Sequence, residues 1–291
     1  MGLKMIEIGV ASNLAAPGAF VLSWHGVFSF IAVATAVFLV GRWAPSRGID
    51  PDDMYSIAIF CIIGGVVGAR LVHVVDNASF YWSNPTSVMA IWRGGIAIWG
   101  GVLGGFVGGA GYSLWMKHPV GIVADMIAPT LLLAQNIGRL GDIVNGEHCA
   151  KATDFFLGIV YTNPASDARG CDNGIDVAVH PAIIYEMAWN FVSLLVVWKL
   201  RGRLRPDGML FAVYLFLYSL GRFTISFART ESSTYAFGLV QAQVIGLLII
   251  GVVAVVLIAK ARPIPPSEVA VGDAPAPQPR GTRAQRRRRR R

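Results

Sequence analysis

Seven predominantly apolar stretches constrain this chain most strongly, because each is long enough to cross a lipid bilayer as a helix. A hydrocarbon core of about 30 Å needs about 20 helical residues, at about 1.5 Å per residue. The stretches are Gly18–Val40, Met54–Val75, Gly94–Met116, Val120–Ile137, Pro181–Trp198, Met209–Phe227 and Phe237–Ala259. Only 14% of the 291 residues are charged, whereas soluble domains carry about 25%. The sequence therefore predicts an all-α integral membrane protein with seven transmembrane helices.

The positions of Lys and Arg predict which helix ends face the cytoplasm. With the C-terminus inside, seventeen basic residues are cytoplasmic: Arg42, Arg47, Lys117, Lys199, Arg201, Arg203, Arg205 and the ten that follow Ala259. Six lie on the outer side: Lys4, Arg93, Arg139, Lys151, Arg169 and Arg229. Without the C-terminal ten the difference is seven to six, so the orientation depends mainly on the loop from Lys199 to Arg205 and on the tail. We expect the N-terminus outside and the C-terminus in the cytoplasm.

Two parts of the chain are predicted to lie outside the membrane helices. Residues 1–261 form the predicted seven-span transmembrane domain, which includes an extracytoplasmic polar segment at about 138–180. Residues 262–291 are rich in Pro, Ala and Arg and end in six consecutive arginines, a composition that cannot bury a core. We expect this tail to be disordered and to contact anionic membrane lipids, with no binding of nucleic acid.

Two of the three cysteines, Cys149 and Cys171, lie in the outer polar segment, while Cys61 lies in the second apolar stretch. An oxidising compartment would allow Cys149 and Cys171 to form a disulfide. The sequence leaves this pairing open, because it does not show that the two residues are close in space.

The stretch Gly138–Glu147 places polar side chains among glycines directly after the fourth apolar stretch. Arginine presents a fork of donors suited to phosphate, so Arg139 is a candidate phosphate ligand. The carboxylates of Asp142 and Glu147 can accept hydrogen bonds from hydroxyls or help to take up a proton. Together these residues predict a site for a polar phosphoester at the membrane surface.

Ionisable residues also occur within or beside the apolar stretches. An unpaired charge in a membrane helix costs at least about 2.5–3.5 kcal/mol, so Arg70, Asp125 and Arg222 need partners or a polar cavity. One interpretation is that Arg70 and Asp125 pair to hold two helices together. The other, which we favour for the arginines, is that they surround a buried anion.

Glycine doublets run through the third apolar stretch, at Gly94–Gly95, Gly100–Gly101, Gly104–Gly105 and Gly108–Gly109. This spacing lets two helix backbones approach closely, and helix packing is the favoured interpretation. The alternative is that glycines such as Gly100 and Gly101 allow a lipid head group to approach the backbone.

Two further groups place polar side chains at helix ends. His180 and Glu186 lie at the start of the fifth apolar stretch, where an interfacial cap is the alternative to a functional role. Arg222 and Arg229 are about two helical turns apart and so share one helix face. For Arg229 alone, contact with outer-leaflet lipid phosphate is the favoured interpretation.

The stretch Gly138–Glu147 resembles the signature of the bacterial prolipoprotein diacylglyceryl transferases, Gly-Arg-x-Gly-Asn-x-x-Asn-Gly-Glu. It matches at every fixed position except Asp142, where the family usually has Asn. Further matches occur in family order and cover nearly the whole chain except the basic tail. They are Gly68-Ala69-Arg70, the glycine doublets, Asp125 with Pro129, His180-Pro181 with Tyr185-Glu186, and Gly221-Arg222-Phe223.

The resemblance implies a seven-span enzyme of the bacterial cytoplasmic membrane. Such an enzyme moves the diacylglyceryl group of phosphatidylglycerol onto the lipobox cysteine thiol of a prolipoprotein, forming a thioether and releasing glycerol phosphate, with no metal or cofactor expected. By resemblance, Arg139 and Arg222 hold the phosphate, while Asn145 and Glu147 orient the head-group hydroxyls or the thiol. The residues expected to bind phosphatidylglycerol are Arg139, Arg222, Asp142, Gly100, Gly101, Arg70 and His180.

Three positions besides Asp142 depart from the family's pattern. His25 stands in place of a Tyr, Trp99 in place of a His, and Ser226 in place of a Glu. An indole cannot take up a proton at neutral pH, so Trp99 cannot be a base. We expect His25 or the carboxylates to supply the basicity, and His25 is a predicted catalytic residue. The alternative is a lipid-binding or transport protein that has lost the transfer step, and a channel or receptor is a weaker third possibility.

Overall fold

Helices dominate the structure, a computed structural model that describes residues 5–15, 21–91, 94–147, 149–230 and 238–264. The helices are α1 (Trp24–Trp43), α2 (Pro51–Asp76), α3 (Ala78–Ser83), α4 (Ile98–Trp115), α5 (Val120–Asn145), α6 (Ala182–Leu200), α7 (Met209–Ile225) and α8 (Gln241–Lys260). Among the described residues, α1, α2, α5, α6, α7 and α8 are long and apolar enough to cross a membrane. The prediction of a mostly helical, multi-pass membrane protein is therefore confirmed.

The third predicted membrane helix forms as α4, which is not one of these six. It has 18 residues, of which seven are glycine, and glycine contributes little to hydropathy. The count of seven spans therefore stays a prediction. Two predicted boundaries are corrected, since α1 begins at Trp24 rather than near Gly18, and α5 continues beyond Ile137 to Asn145.

The described residues form two compact units, one from within 1–36 and 124–272 and the other from within 37–123. In the first unit, α7 packs against both α6 and α8. The buried core of this unit includes Ala128, Leu132, Val197, Leu210 and Tyr214. Asp125 accepts hydrogen bonds from the backbone nitrogens of Gly208 at 2.8 Å and Phe211 at 2.9 Å. Its carboxylate therefore caps the start of α7, where the helix dipole favours a negative charge.

Short strands occur in the first unit before, between and after the helices. Strand β1 (Ile6–Ile8) runs parallel to β4 (Ile159–Tyr161), and β4 pairs antiparallel with β5 (Ala178–Val179). Two more antiparallel pairs join β2 (Asn13–Ala15) to β3 (Leu22–Ser23) and β6 (Leu204–Arg205) to β7 (Arg262–Pro263). Among the described residues, three small sheets therefore accompany the helices, which the all-α prediction did not include. The rest of the predicted tail, residues 265–291, lies outside the described residues.

Cys149 and Cys171 form a disulfide in the segment between α5 and α6, with their Cα atoms 5.3 Å apart. The pairing that the sequence left open is therefore present. It closes a loop with a sequence separation of 22 residues, and this loop contains strand β4.

In the second unit, α2 and α4 pack closely along their glycines. A Cβ atom would overlap backbone atoms of the facing helix at Gly64, Gly68, Gly100, Gly104 and Gly108. A Cβ at Gly101 would lie 3.6 Å from the Cβ of Ala69, so Gly101 also faces α2. The packing interpretation is therefore confirmed for the doublets within α4, whereas Gly94 and Gly95 precede that helix and have positive φ.

Arg70 holds the chain between α3 and α4 in the second unit. Its guanidinium donates to the backbone carbonyls of Ser87, Val88, Gly94 and Gly95 at 2.5–2.9 Å. It also lies 5.1 Å from the ring centroid of Tyr81, a cation–π distance. These contacts compensate the buried charge, so a structural role accounts for Arg70.

Candidate active site

The stretch Gly138–Glu147 is held where helix α5 ends. Gly146 adopts the left-handed backbone conformation, with φ of 76°, which stops a helix and favours glycine. The backbone carbonyl of Asn145 accepts hydrogen bonds from the hydroxyls of Ser12 at 2.9 Å and Ser166 at 3.0 Å. Two segments distant in sequence therefore fix the last turn of α5.

Three arginines share one buried carboxylate in the first unit. Oε2 of Glu186 lies 2.5 Å from Nη2 of Arg139. Oε1 of Glu186 accepts from Arg222 at 2.8 Å and from Arg229 at 3.0 Å. We call Arg139, Arg222, Arg229 and Glu186 the arginine cluster. Because three cations surround this carboxylate, and its side chain is only 7% exposed, the cluster favours binding of a further anion such as phosphate.

Arg229 reaches the arginine cluster from the segment that follows α7. The backbone nitrogen of Thr230 donates to the carbonyl of Cys149 at 3.1 Å, so the disulfide-linked segment positions this arginine. The pKa of Arg229 is lowered below its usual value, mainly by burial and secondly by the charge of Arg222. The side chain is 10% exposed and bound to Glu186, so the interpretation of Arg229 as a lipid anchor at the surface is wrong.

His25 meets the stretch Gly138–Glu147 at the start of α1. Its Nδ1 lies 2.6 Å from Oδ1 of Asp142 and 3.3 Å from Oε2 of Glu147. Gly141 permits this approach, since a Cβ there would lie 2.7 Å from the Cα of His25. The other oxygen of Asp142 accepts from Nη1 of Arg139 at 2.7 Å. The histidine is therefore linked through Asp142 to the arginine cluster.

The converging atoms of His25, Asp142 and Glu147 lie within 4.8 Å of one another. The separation of 2.6 Å between Nδ1 and Oδ1 is that of a charge-assisted hydrogen bond, in which a proton lies between the two atoms. We therefore assign a shared proton to His25 and Asp142.

Asn145 orients Glu147 and offers a further polar atom. Its Nδ2 donates to Oε1 of Glu147 at 2.6 Å, while its buried Oδ1 has no hydrogen-bond partner among the described residues. A buried amide oxygen in this state favours a donor from a bound molecule, such as a hydroxyl. Tyr161 supports the same helix end by donating to the carbonyl of Ile143 at 3.0 Å. The pKa of Tyr161 is raised to about 12, mainly by burial and secondly by the charge of Asp142.

A small cavity beside the arginine cluster shares two lining residues with a larger groove. The cavity measures about 10 Å³ and is lined by Glu186, Trp189, Asn190, Tyr218, Gly221, Arg222 and Ile225. The groove measures about 370 Å³ and is lined by Tyr185, Ala188, Trp189, Val192, Thr224 and Ile225. Trp189 and Ile225 line both, and the lining residues of the groove belong to α6 and α7. Gly221 leaves space for the Trp189 indole, which donates to the carbonyl of Leu217 at 2.7 Å.

Four residues predicted to bind the head group have other contacts in the structure. Gly100 and Gly101 face α2, and Arg70 holds backbone carbonyls, all within the second unit. Nδ1 of His180 lies 3.4 Å from the hydroxyl of Tyr185, which agrees with the interfacial alternative. For these four, contact with a head group stays a prediction.

Glu186, like Arg229, has a role at the site that the sequence did not predict. In the sequence, Glu186 appears only as part of a motif at the start of an apolar helix. The available signal was charge balance, since buried arginines at the outer helix ends need a carboxylate partner. Ser226, where the family has a Glu, does not supply one: its hydroxyl donates to the carbonyl of Phe223 at 2.7 Å.

Comparison with known proteins identifies relatives over most of the chain. The family described as prolipoprotein diacylglyceryl transferase matches residues 13–259. The phosphatidylglycerol–prolipoprotein diacylglyceryl transferase of Symbiobacterium thermophilum is 34% identical over 244 residues, covering 83% of this chain and 89% of that protein. The protein of the same name from Thermosynechococcus vestitus is 36% identical over 217 residues, covering 74% and 80%. The one from Staphylococcus aureus is 29% identical over 277 residues, covering 93% and 98%.

Proposed function

The chain belongs to the prolipoprotein diacylglyceryl transferase family, and we propose that the site around the arginine cluster carries out the transfer. The enzyme moves the diacylglyceryl group of phosphatidylglycerol onto the thiol of a lipobox cysteine in a prolipoprotein. A thioether forms and glycerol phosphate leaves. The observation that carries this proposal is the group of three arginines around Glu186, next to the end of α5. A lipid-binding protein without transfer is not favoured, because the relatives named above are transferases.

The arginine cluster holds the phosphate of the lipid. Arg139 and Arg222 donate to its oxygens, and Arg229 adds a third positive charge that the sequence did not include in the site. The adjoining cavity of about 10 Å³ has room for about one water molecule, so a phosphate must replace some of the contacts to Glu186. Fixed donors of this kind stabilise the charge that develops on the leaving phosphate.

The groove between α6 and α7 accommodates an acyl chain of the lipid. Its walls include Val192 and Ile225, and it shares Trp189 with the cavity beside Arg222. A lipid in the groove therefore places its head group at the arginine cluster while its tail stays in an apolar environment.

Asn145 and Glu147 orient the polar groups of the substrates. The buried Oδ1 of Asn145 accepts from a glycerol hydroxyl, and Glu147 holds the amide in position through Oε1. Asp142 fixes one branch of the Arg139 guanidinium, so it takes part in head-group binding indirectly.

The enzyme lies in the bacterial cytoplasmic membrane with its N-terminus outside. Excess Lys and Arg on the cytoplasmic side support this orientation, and so does the disulfide between Cys149 and Cys171, because disulfides persist in oxidising compartments. The arginine-rich tail then lies in the cytoplasm, where it contacts anionic lipids.

The test is a reaction of the purified protein with phosphatidylglycerol and a lipobox peptide, with the thioether product measured by mass spectrometry. Arg139→Ala, Arg222→Ala and Glu147→Gln are each expected to abolish most of the product while leaving expression intact. Arg169→Ala is the matched control, because Arg169 is an exposed arginine in the segment between α5 and α6. Wild-type rates in all three site variants would refute the proposal.

A further inference from the structure

Two of the four positions at which the chain departs from the family's pattern are in direct contact. His25 and Asp142 are 117 residues apart in the sequence, and their side chains meet at 2.6 Å. A Cβ at Gly141 would lie 2.7 Å from the Cα of His25 and 3.0 Å from the carbonyl oxygen of Trp24. The pair therefore depends on the close packing of the start of α1 against the end of α5.

The surroundings of His25 determine which ring nitrogen carries the proton. Nδ1 faces Asp142 at 2.6 Å and Glu147 at 3.3 Å, and an ionised carboxylate can only accept a hydrogen bond. A neutral imidazole has a single N–H, so Nδ1 carries it and Nε2 keeps its lone pair. Nε2 lies 3.4 Å from the hydroxyl of Ser29, which donates to it weakly. His25 therefore presents a basic nitrogen on the ring edge opposite the two carboxylates.

Asp142 is itself held in place for this contact. Its Oδ2 accepts from Arg139 at 2.7 Å, which leaves Oδ1 for His25. The residue is only 4% exposed, so water does not compete for the carboxylate. The charged groups that face His25 are Asp142, Glu147 and Arg139. A carboxylate fixed at Nδ1 stabilises the imidazolium that forms when Nε2 takes up a proton.

We infer that His25 takes up the proton of the lipobox thiol through Nε2 and that Asp142 is its positioning residue. This inference rests on the proposed function. The S–H bond breaks as the proton moves to Nε2, and the sulfur lone pair forms a C–S bond to the glyceryl carbon of the lipid. The C–O bond from that carbon to the phosphate breaks, and its electron pair stays on the phosphate oxygen. His25 then releases its proton to water. Its side chain is 44% exposed, so the thiol can reach the ring.

Glu147, Ser226 and Trp99, the other residues considered for this role, have different chemistry. Oε1 of Glu147 accepts from Asn145, and its Oε2 faces Nδ1 of His25. Ser226 donates to a backbone carbonyl of its own turn, and the indole of Trp99 has no lone pair available for a proton. The proton acceptor is therefore assigned to Nε2 of His25.

The test measures kcat/KM for thioether formation by the full-length protein over a range of pH. His25→Phe is expected to lower it by about 10²-fold or more, the usual contribution of a general base. It is also expected to remove the acidic limb of the pH profile, because no imidazole remains to titrate. Imidazole added to His25→Ala is expected to restore part of the rate, which a packing role would not allow. Asp142→Asn is expected to cost less in the His25→Phe background than in the wild type, because the two residues act as a unit.

His118→Phe is the matched control. His118 pairs with Asp53 at 2.9 Å in the second unit, so it has the same chemistry outside the proposed site, and its variant is expected to keep the wild-type pH profile. An unchanged pH profile in His25→Phe, with thioether still formed, overturns this inference but not the proposed function. Loss of wild-type activity on chelation with EDTA also overturns it, because the group would then hold a metal. A wild-type protein that forms no thioether refutes the proposed function itself.

Discussion

Replacing Glu186 with Gln tests the arginine cluster directly, because it removes the charge that three arginines share and keeps the shape of the side chain. The carboxylate contacts Arg139 at 2.5 Å, Arg222 at 2.8 Å and Arg229 at 3.0 Å. Removing one partner of a buried ion pair costs about 3–5 kcal/mol. We expect a loss of unfolding free energy in this range, since the Glu186 side chain is only 7% exposed and solvent screens it little.

Thermal unfolding in detergent, with and without added lipid, measures both the loss and its cause. Once Glu186 is neutral, the three arginines bind a phosphate more tightly. Phosphatidylglycerol is therefore expected to raise the unfolding temperature of Glu186→Gln more than that of the wild type. Phosphatidylcholine, which has no net charge, is the control lipid. Asp154→Asn changes an exposed carboxylate and is expected to stay within about 0.5 kcal/mol of the wild type.

A Glu186→Gln protein that unfolds like the wild type and responds equally to both lipids would refute this reasoning. The arginines would then not depend on Glu186 for charge compensation. The group of three arginines around Glu186 would then no longer support the proposed phosphate site.

Three other perturbations test how the site is held together. Gly141→Ala is expected to displace His25 and lower the rate of thioether formation by about 10²-fold, the usual effect of a misplacement of about 1 Å. Gly138→Ala, whose Cβ meets nothing within 4 Å, should keep the rate near that of the wild type. Serine at both Cys149 and Cys171 is expected to lower the unfolding free energy by about 3 kcal/mol, the chain-entropy value for this loop, as measured by thermal unfolding. The pKa of Tyr161 is about 12 in the folded protein and ordinarily 10.0, so the unfolded chain releases this proton first. Tyr161 is therefore expected to contribute a fall in stability of about 3 kcal/mol as the pH rises from about 10 to about 12, and the fall measured at alkaline pH should be smaller by about this amount for Tyr161→Phe.

The membrane helices were predictable because bilayer thickness sets their length and low charge marks their extent. The start of α7 at Met209 was predicted correctly, but the end of α5 was not. Its last turns contain Gly138, Arg139 and Asp142, which are typical of a loop by composition. They remain helical because the final carbonyl is held by side chains from other segments and the helix stops only at Gly146. These contacts depend on tertiary structure, so the sequence around α5 contains no local pattern that predicts them.

The chemistry of the candidate site was visible in the sequence, but its pairings were not. Arg139 and Arg222 could be proposed as phosphate ligands from their type and position. Their shared partner Glu186 could not, because hydrogen bonds across three helices are not encoded by spacing. His25 and Asp142 likewise appeared as two separate departures from a family pattern, and only the packing at Gly141 shows that they form one pair.

Because of the disulfide between Cys149 and Cys171, complete assembly of the site depends on which side of the membrane this segment occupies. Arg229 is positioned through the hydrogen bond from Thr230 to the carbonyl of Cys149. Cytoplasmic thiols are kept reduced, whereas exported thiols are oxidised. On the proposed orientation, Arg229 is fixed in place only after the segment has been exported. In a chain inserted in the opposite orientation, Cys149 and Cys171 would stay reduced and Arg229 would not be fixed in the arginine cluster. Such a chain would not transfer lipid from the cytoplasmic leaflet.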